Sequence, residues 1–186
     1  MKNLSLLLLA ALFLSYGCQD DDDVPPVTLI GRATGWSVDA VESDFATQAA
    51  SAIAALTEDD LASDTRTRDL IEQQYDILIA NQTQLDDCER DDAVLFGSNG
   101  IIQLFLGDVD CNQPGTHVMD ELVNNFYSAD IEGTRLRLRT QDGETITTYD
   151  ILELTDSAFR LKNNRVVEDS TVGPVLYEVT YALRAR

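Results

Sequence analysis

Apolar residues along this chain follow three regimes: a continuous run from Leu4 to Leu14, a helical spacing over residues 45–80, and alternation with polar residues from residue 93 onward. The middle regime predicts two helices. Phe45, Ala49, Ala52, Ile53 and Leu56 fall near one helical face, and Thr57-Glu58-Asp59-Asp60 then ends that helix. Leu70, Ile71, Gln74, Ile77 and Leu78 trace an i, i+3, i+4, i+7 stripe over residues 67–80, so a second helix should lay this stripe on a core. Ahead of both, residues 27–41 predict a first strand, with Gly31 and Gly35 as bend points and Trp36 as a large buried anchor.

The alternating regime predicts the rest of a sheet. Residues 93–96 and 101–106 flank Gly97-Ser98-Asn99-Gly100, whose glycines permit positive φ, so these two segments read as a hairpin. Further strands are expected at 122–129, 134–140, 144–154, 158–162 and 175–183, with turn chemistry at 141–143 and 155–157. Leu136 and Leu138 stand between Arg135, Arg137 and Arg139, and Val175, Tyr177, Val179, Tyr181 and Leu183 share one face. Each of these strands can cover a core on one side and meet water on the other. About eight short antiparallel strands predict a mainly β fold, an up-and-down barrel with a two-helix insert at residues 45–85 after the first strand. A sandwich with Greek-key connections fits the same strand count.

The first apolar run has a different meaning. It is about 11 residues long, short of the roughly 20 that a spanning helix needs. Lys2 precedes it and small residues follow, which is the make-up of a secretory signal. Leu14-Ser15-Tyr16-Gly17-Cys18 resembles a lipobox, the site where a signal peptidase cuts before a cysteine that then carries acyl chains. The expected organisation is a signal at 1–17, a lipidated acidic tether at 18–27 and a barrel domain at 28–186. The tether carries Asp20-Asp21-Asp22-Asp23 and then Pro25-Pro26, a self-repelling run with nothing to bury.

Charge and cysteine count narrow the partners. With 13 basic and 33 acidic residues the formal charge is −20, which disfavours nucleic acid, because phosphate binding needs a basic patch. Anionic head groups would repel the body as well, leaving the acyl groups on Cys18 to hold the membrane. If Cys18 is acylated, Cys88 and Cys111 remain as a pair in an oxidising compartment, and a disulfide closing about 24 residues is the simplest reading. The rival is a zinc site, for which two cysteines and His117 fall short of four ligands.

Several pieces occur in a telling order: Cys88-Glu89-Arg90-Asp91-Asp92, then Phe96 and the turn to Gly100, Cys111, Gly133-Thr134-Arg135-Leu136-Arg137-Leu138, and Tyr149-Asp150-Ile151-Leu152-Glu153-Leu154-Thr155-Asp156. This order resembles the lipocalin-like domain of Bacteroidota-type surface lipoproteins, over residues 88 to 186 and the opening strand. That pattern opens with Gly-x-Trp, whereas here Gly35 directly precedes Trp36. The acidic run after Cys18 resembles the surface-export tag of the same proteins and implies an outer-membrane, cell-surface location. The resemblance implies a β-barrel or half-open β-sandwich, no catalysis, no cofactor and at most an apolar ligand cavity, with the tryptophan plugging the base.

Candidate chemistry adds little to this. His117 is the only histidine, and Gly-x-Ser-x-Gly is absent, so no nucleophilic triad can be proposed by spacing. Asp108, Asp110 and Asn112 have the start of a calcium-loop spacing, but Gln113 and Met119 stand where Gly and Glu are required. Asp86, Asp87, Glu89, Asp91 and Asp92 read as a solvated acidic turn. Asp156-Ser157-Ala158 and Asp169-Ser170-Thr171 resemble an O-glycosylation acceptor of this bacterial group, which would require exposed turns. The expectation is a non-enzymatic, surface-anchored lipoprotein that binds a small apolar ligand. The alternative is an accessory or adhesin-type module for a cell-surface protein.

Overall fold

The computed structural model describes residues 26–109, 118–120, 122–123, 125–130 and 133–186. Its strands are β1 (Trp36–Ser43), β2 (Ala93–Phe96), β3 (Ile102–Phe105), β4 (Phe126–Ala129), β5 (Arg135–Arg139), β6 (Thr145–Leu154), β7 (Ala158–Asp169) and β8 (Gly173–Ala185). They form one antiparallel sheet in the order β3-β2-β1-β8-β7-β6-β5-β4. Taken as a circle this order is sequential, and the two end strands meet where Ile101 bridges Phe126. The fold is therefore a nearly closed up-and-down barrel of eight strands with a helical insert after the first. The Greek-key sandwich is set aside, since all consecutive strands but β3 and β4 are paired and β8 pairs with β1.

The first strand starts later than the sequence suggests. Helix α1 (Pro26–Ile30) occupies the segment expected to be extended, because proline's fixed φ suits the first helical position. Gly35, at φ 74°, then turns the chain into β1. A Cβ on Gly35 would lie 2.9 Å from the Val94 carbonyl oxygen, so the close approach of β1 and β2 also requires glycine. Trp36 is buried at once, as expected, and its Nε1 donates to the Ile30 carbonyl at 3.0 Å. Its ring packs 5.3 Å from that of Phe159, which in turn lies 5.8 Å from Phe96. Leu136, Leu138, Tyr149, Leu161 and Leu183 extend this core, each large side chain contributing on the order of 1.5–3 kcal/mol.

The insert comprises α2 (Phe45–Ala54), α3 (Glu58–Ala62) and α4 (Arg68–Thr83), and α5 (Asp87–Asp91) leads into β2. Phe45 stacks on Tyr177 at 4.3 Å and meets Tyr75 of α4 at 5.9 Å, so the insert covers the end of the barrel away from α1. The buried stripe of α4 is not the expected one. Ile71 and Tyr75 face inward, whereas Leu70 and Ile77 are 42% and 55% exposed. Tyr75 meets Phe45 on this face, and Arg68 donates to the carbonyls of Ile53 and Leu56, docking the start of α4 on the end of α2. The short helices α3 and α5 each open on a reciprocal capping box, Thr57 with Asp60 and Asp86 with Glu89. The expected break at residues 57–60 is thus a helix start.

Candidate functional site

The barrel is weakest where β3 meets β4. The seam is closed by the Ile101–Phe126 bridge, whose two bonds are the Ile102 amide donating to the Asn125 carbonyl at 2.9 Å and the Tyr127 amide donating to the Gly100 carbonyl at 2.8 Å. Below these bonds, next to α1, lies a cavity of about 530 Å³ that opens to solvent. Thr28 and Gly31 line it from the α1 side, Phe96 and Gly97 from the end of β2, and Tyr127 and Ala129 from β4. Phe96 and Tyr127 meet edge to face, with centroids 5.1 Å apart and planes at 86°, a favoured geometry for two rings. The Tyr127 hydroxyl donates to the Gly97 carbonyl at 3.1 Å, and burial pushes its pKa above the ordinary tyrosine value. The lining offers apolar surface and hydroxyls.

The barrel axis, by contrast, is filled. Arg165 points inward and its Nη2 donates to the Tyr181 hydroxyl at 2.6 Å, with Tyr149 beside it. Asn163 donates to the Thr147 hydroxyl at 2.7 Å. These inward polar residues went unforeseen because β7 was expected to end at Lys162. Following its alternation from Phe159 and Leu161 to Asn163 and Arg165 would have placed both inside.

The acidic segment 86–92 is not the solvated turn expected from its composition. Glu89 and Asp92 are only 7% and 3% exposed, and the carboxylates of α5 serve as acceptors for backbone amides. Glu89 accepts from Asp86 at 3.0 Å and from Val118 at 2.9 Å. Asp92 accepts from Gly107 at 2.8 Å, and Asp91 from Val109 at 2.9 Å and from Asp108. The Val109 and Asp108 amides hold the Asp91 carboxyl below its ordinary pKa. Burial is affordable because each desolvated oxygen so engaged gains an N–H donor. Carboxylates in the middle and at the C-terminal end of α5 thereby hold the chain on either side of residues 110–117.

Cys88 is buried on this helix. Cys18, Cys111, His117, Asp110 and Asn112 lie outside the described residues. Among the described residues no three His, Cys, Asp or Glu side chains are placed to hold a metal, and no helix is long and apolar enough to cross a membrane. Ser157 and Ser170 are both exposed, as their turns require. No family model, curated protein or solved structure matches this chain.

Proposed function

We propose that this chain is a non-enzymatic, lipid-anchored surface lipoprotein with a lipocalin-like barrel, held to the outer membrane through acyl groups on Cys18, and that it binds a small apolar ligand. The observation that carries the ligand reading is the place of the cavity. The barrel axis is packed with side chains, and the space beside Phe96 and Tyr127 sits at the seam, open to solvent. Such a site orients a ligand by shape and by a few hydroxyls. The Tyr127 hydroxyl, whose one proton goes to the Gly97 carbonyl, keeps lone pairs with which to accept from a ligand. We include a Cys88–Cys111 disulfide in this reading. It is supported by the carboxylate contacts that bring both flanks of residues 110–117 to the helix bearing Cys88.

A second reading, an accessory or adhesin-type module for a cell-surface protein, is favoured by the outward face of α4, where Leu70, Ile77 and Leu78 are exposed.

Native mass spectrometry of protein extracted from its own host tests the first reading. The expected species starts at Cys18, carries the mass of acyl groups and retains a bound apolar molecule. Ala129→Phe, which fills the cavity, should keep the acyl mass and lose the ligand. Wild-type protein free of any ligand would end the binding proposal, and an unacylated chain would end the anchor.

A further inference from the structure

The outward face of β5 is unusual for so acidic a chain. Arg135, Arg137 and Arg139 project from it at every second residue, while Leu136 and Leu138 fill the core between them. Most other outward cations of the barrel have a carboxylate: Arg160 pairs with Glu42 at 3.2 Å, Lys162 with Glu178 at 2.8 Å and Arg184 with Asp39 at 3.9 Å. Arg135 lies 3.8 Å from Asp150. Arg137 and Arg139 form no ion pair among the described residues, and Arg139 Nε has no hydrogen-bond partner there. Their cross-strand neighbours are Ser128 and Phe126 on β4 and Thr148 and Thr145 on β6. Among the described residues, the Asp130 carboxylate accepts from Thr134 and from the Arg135 amide and feels the charge of Arg137 without pairing to it, and Asp142 and Glu144 sit in the turn beyond Arg139.

Two β-bulges add apolar surface to the same flank. In β6 the register passes from Leu138–Thr147 to Arg139–Thr145, and from Ile151–Leu161 to Glu153–Arg160, so Ile146 and Leu152 are the extra residues. A bulge re-aims the side chain it inserts. Ile146 and Leu152 are accordingly 53% and 50% exposed, outside a barrel whose other β6 apolar residues lean on the core.

The start of the chain says what this flank meets. Helix α1 is fastened to the base through the Ile30 carbonyl on Trp36, and Arg32 lies 5.0 Å over the Trp36 ring while donating to the Asp156 carbonyl. Pro26 is thus a fixed point on the barrel. Only residues 19–25 separate it from Cys18, a reach of at most about 29 Å at roughly 3.6 Å per residue. An acylated Cys18 therefore keeps the base, and the β5–β6 flank rising from it, within reach of the lipid surface. We propose, resting on the anchor above, that the β4–β5–β6 flank lies on that membrane, with Arg137 and Arg139 binding lipid phosphates and Ile146 and Leu152 entering the interface. The charge of the whole chain opposes such contact on its other faces, so repulsion helps to select this orientation.

The test uses the acylated full chain, purified from its host and reconstituted in vesicles of phosphatidylcholine alone or with phosphatidylglycerol added. Arginine modification by phenylglyoxal is read peptide by peptide. Arg137 and Arg139, and Arg135 beside them on the same face, should react several-fold more slowly with phosphatidylglycerol present, while Arg160 and Arg184 keep their rates. In the double variant Arg137→Gln/Arg139→Gln, the chain should still float with the vesicles, and Arg135 should lose its lipid-dependent protection. Equal rates for Arg137 in both vesicles, or protection of Arg135 that survives the double substitution, overturns the docking flank. A wild-type chain that floats with neither vesicle overturns the anchor, and the flank with it.

Discussion

At the residue scale, Gly107 shows how tightly the loop after β3 is drawn onto α5. Its amide donates to Asp92 at 2.8 Å, and a Cβ would come within 2.6 Å of the Asp91 carbonyl oxygen. Gly107→Ala must push the chain off α5, at a cost of about 1–3 kcal/mol. A lower urea midpoint with an unchanged slope is the expected reading; a midpoint equal to wild type would mean the loop does not hold this position in solution. Composition alone could not reveal these contacts. Seven residues containing five acids look like a solvated turn, and only the fold shows their oxygens turned onto the amides of Gly107, Val109 and Val118. The same limit applies to the seam cavity. Phe96 and Tyr127 are legible as strand residues, but their meeting depends on which strand ends close the barrel, and that is a long-range fact.

At the element scale, the insert is latched to the β7–β8 hairpin by Arg66. Its guanidinium bonds Asp64 at 2.7 Å and Asp169 at 2.9 Å, and the Thr171 hydroxyl donates to Asp64. Hydrogen bonds from Arg66 lower the Asp169 pKa from 3.8 to about 2, and hold Asp64 still further below the ordinary range. Carboxyls depressed in the folded state contribute stability that is complete above their unfolded pKa and is lost as the pH falls through the folded value. Wild-type stability should therefore be level above about pH 4 and decline toward pH 2 through these two groups. Arg66→Ala should lower the thermal midpoint by a few degrees at neutral pH and flatten that acid decline. A variant with the wild-type acid limb would show that other carboxyls govern it. The elements themselves were largely readable. Alternation located β5 and β8 because each has one face on a single core, apolar runs bounded by turn signals located β2 and β6, and helical spacing located α2 and α4. The errors came where a local device overrode the period: Pro26 and Gly35 before β1, the capping boxes of α3 and α5, the docking of α4 on α2 through Arg68 and Tyr75, and the bulges of β6.

At the scale of the whole molecule, the barrel's pairing is uneven. β7 and β8 share a continuous ladder from Ala158–Arg184 to Asp169–Gly173, whereas the β3–β4 closure rests on one bridge of two amide bonds. A sheet closed so lightly has two edge strands ready to part, and the long connection between β3 and β4 would gain chain entropy if they did. Beside the Phe96–Tyr127 contact, three carboxylates of α5 and the residue after it hold the connection: Asp92 on Gly107, Asp91 on Val109, Glu89 on Val118. A Cys88–Cys111 disulfide would tie the same connection covalently and contribute about 3 kcal/mol. Its loss should then be felt first at the seam. On treating native protein with dithiothreitol, hydrogen exchange at the Ile102 and Tyr127 amides should accelerate before that of the β7–β8 ladder, together with a fall in the thermal midpoint. Uniform acceleration around the barrel would assign the bond, if present, no special hold on the seam. An unaltered midpoint with two thiols titrating in the denatured, unreduced protein would remove the disulfide from the account and leave the α5 carboxylates to close the barrel alone.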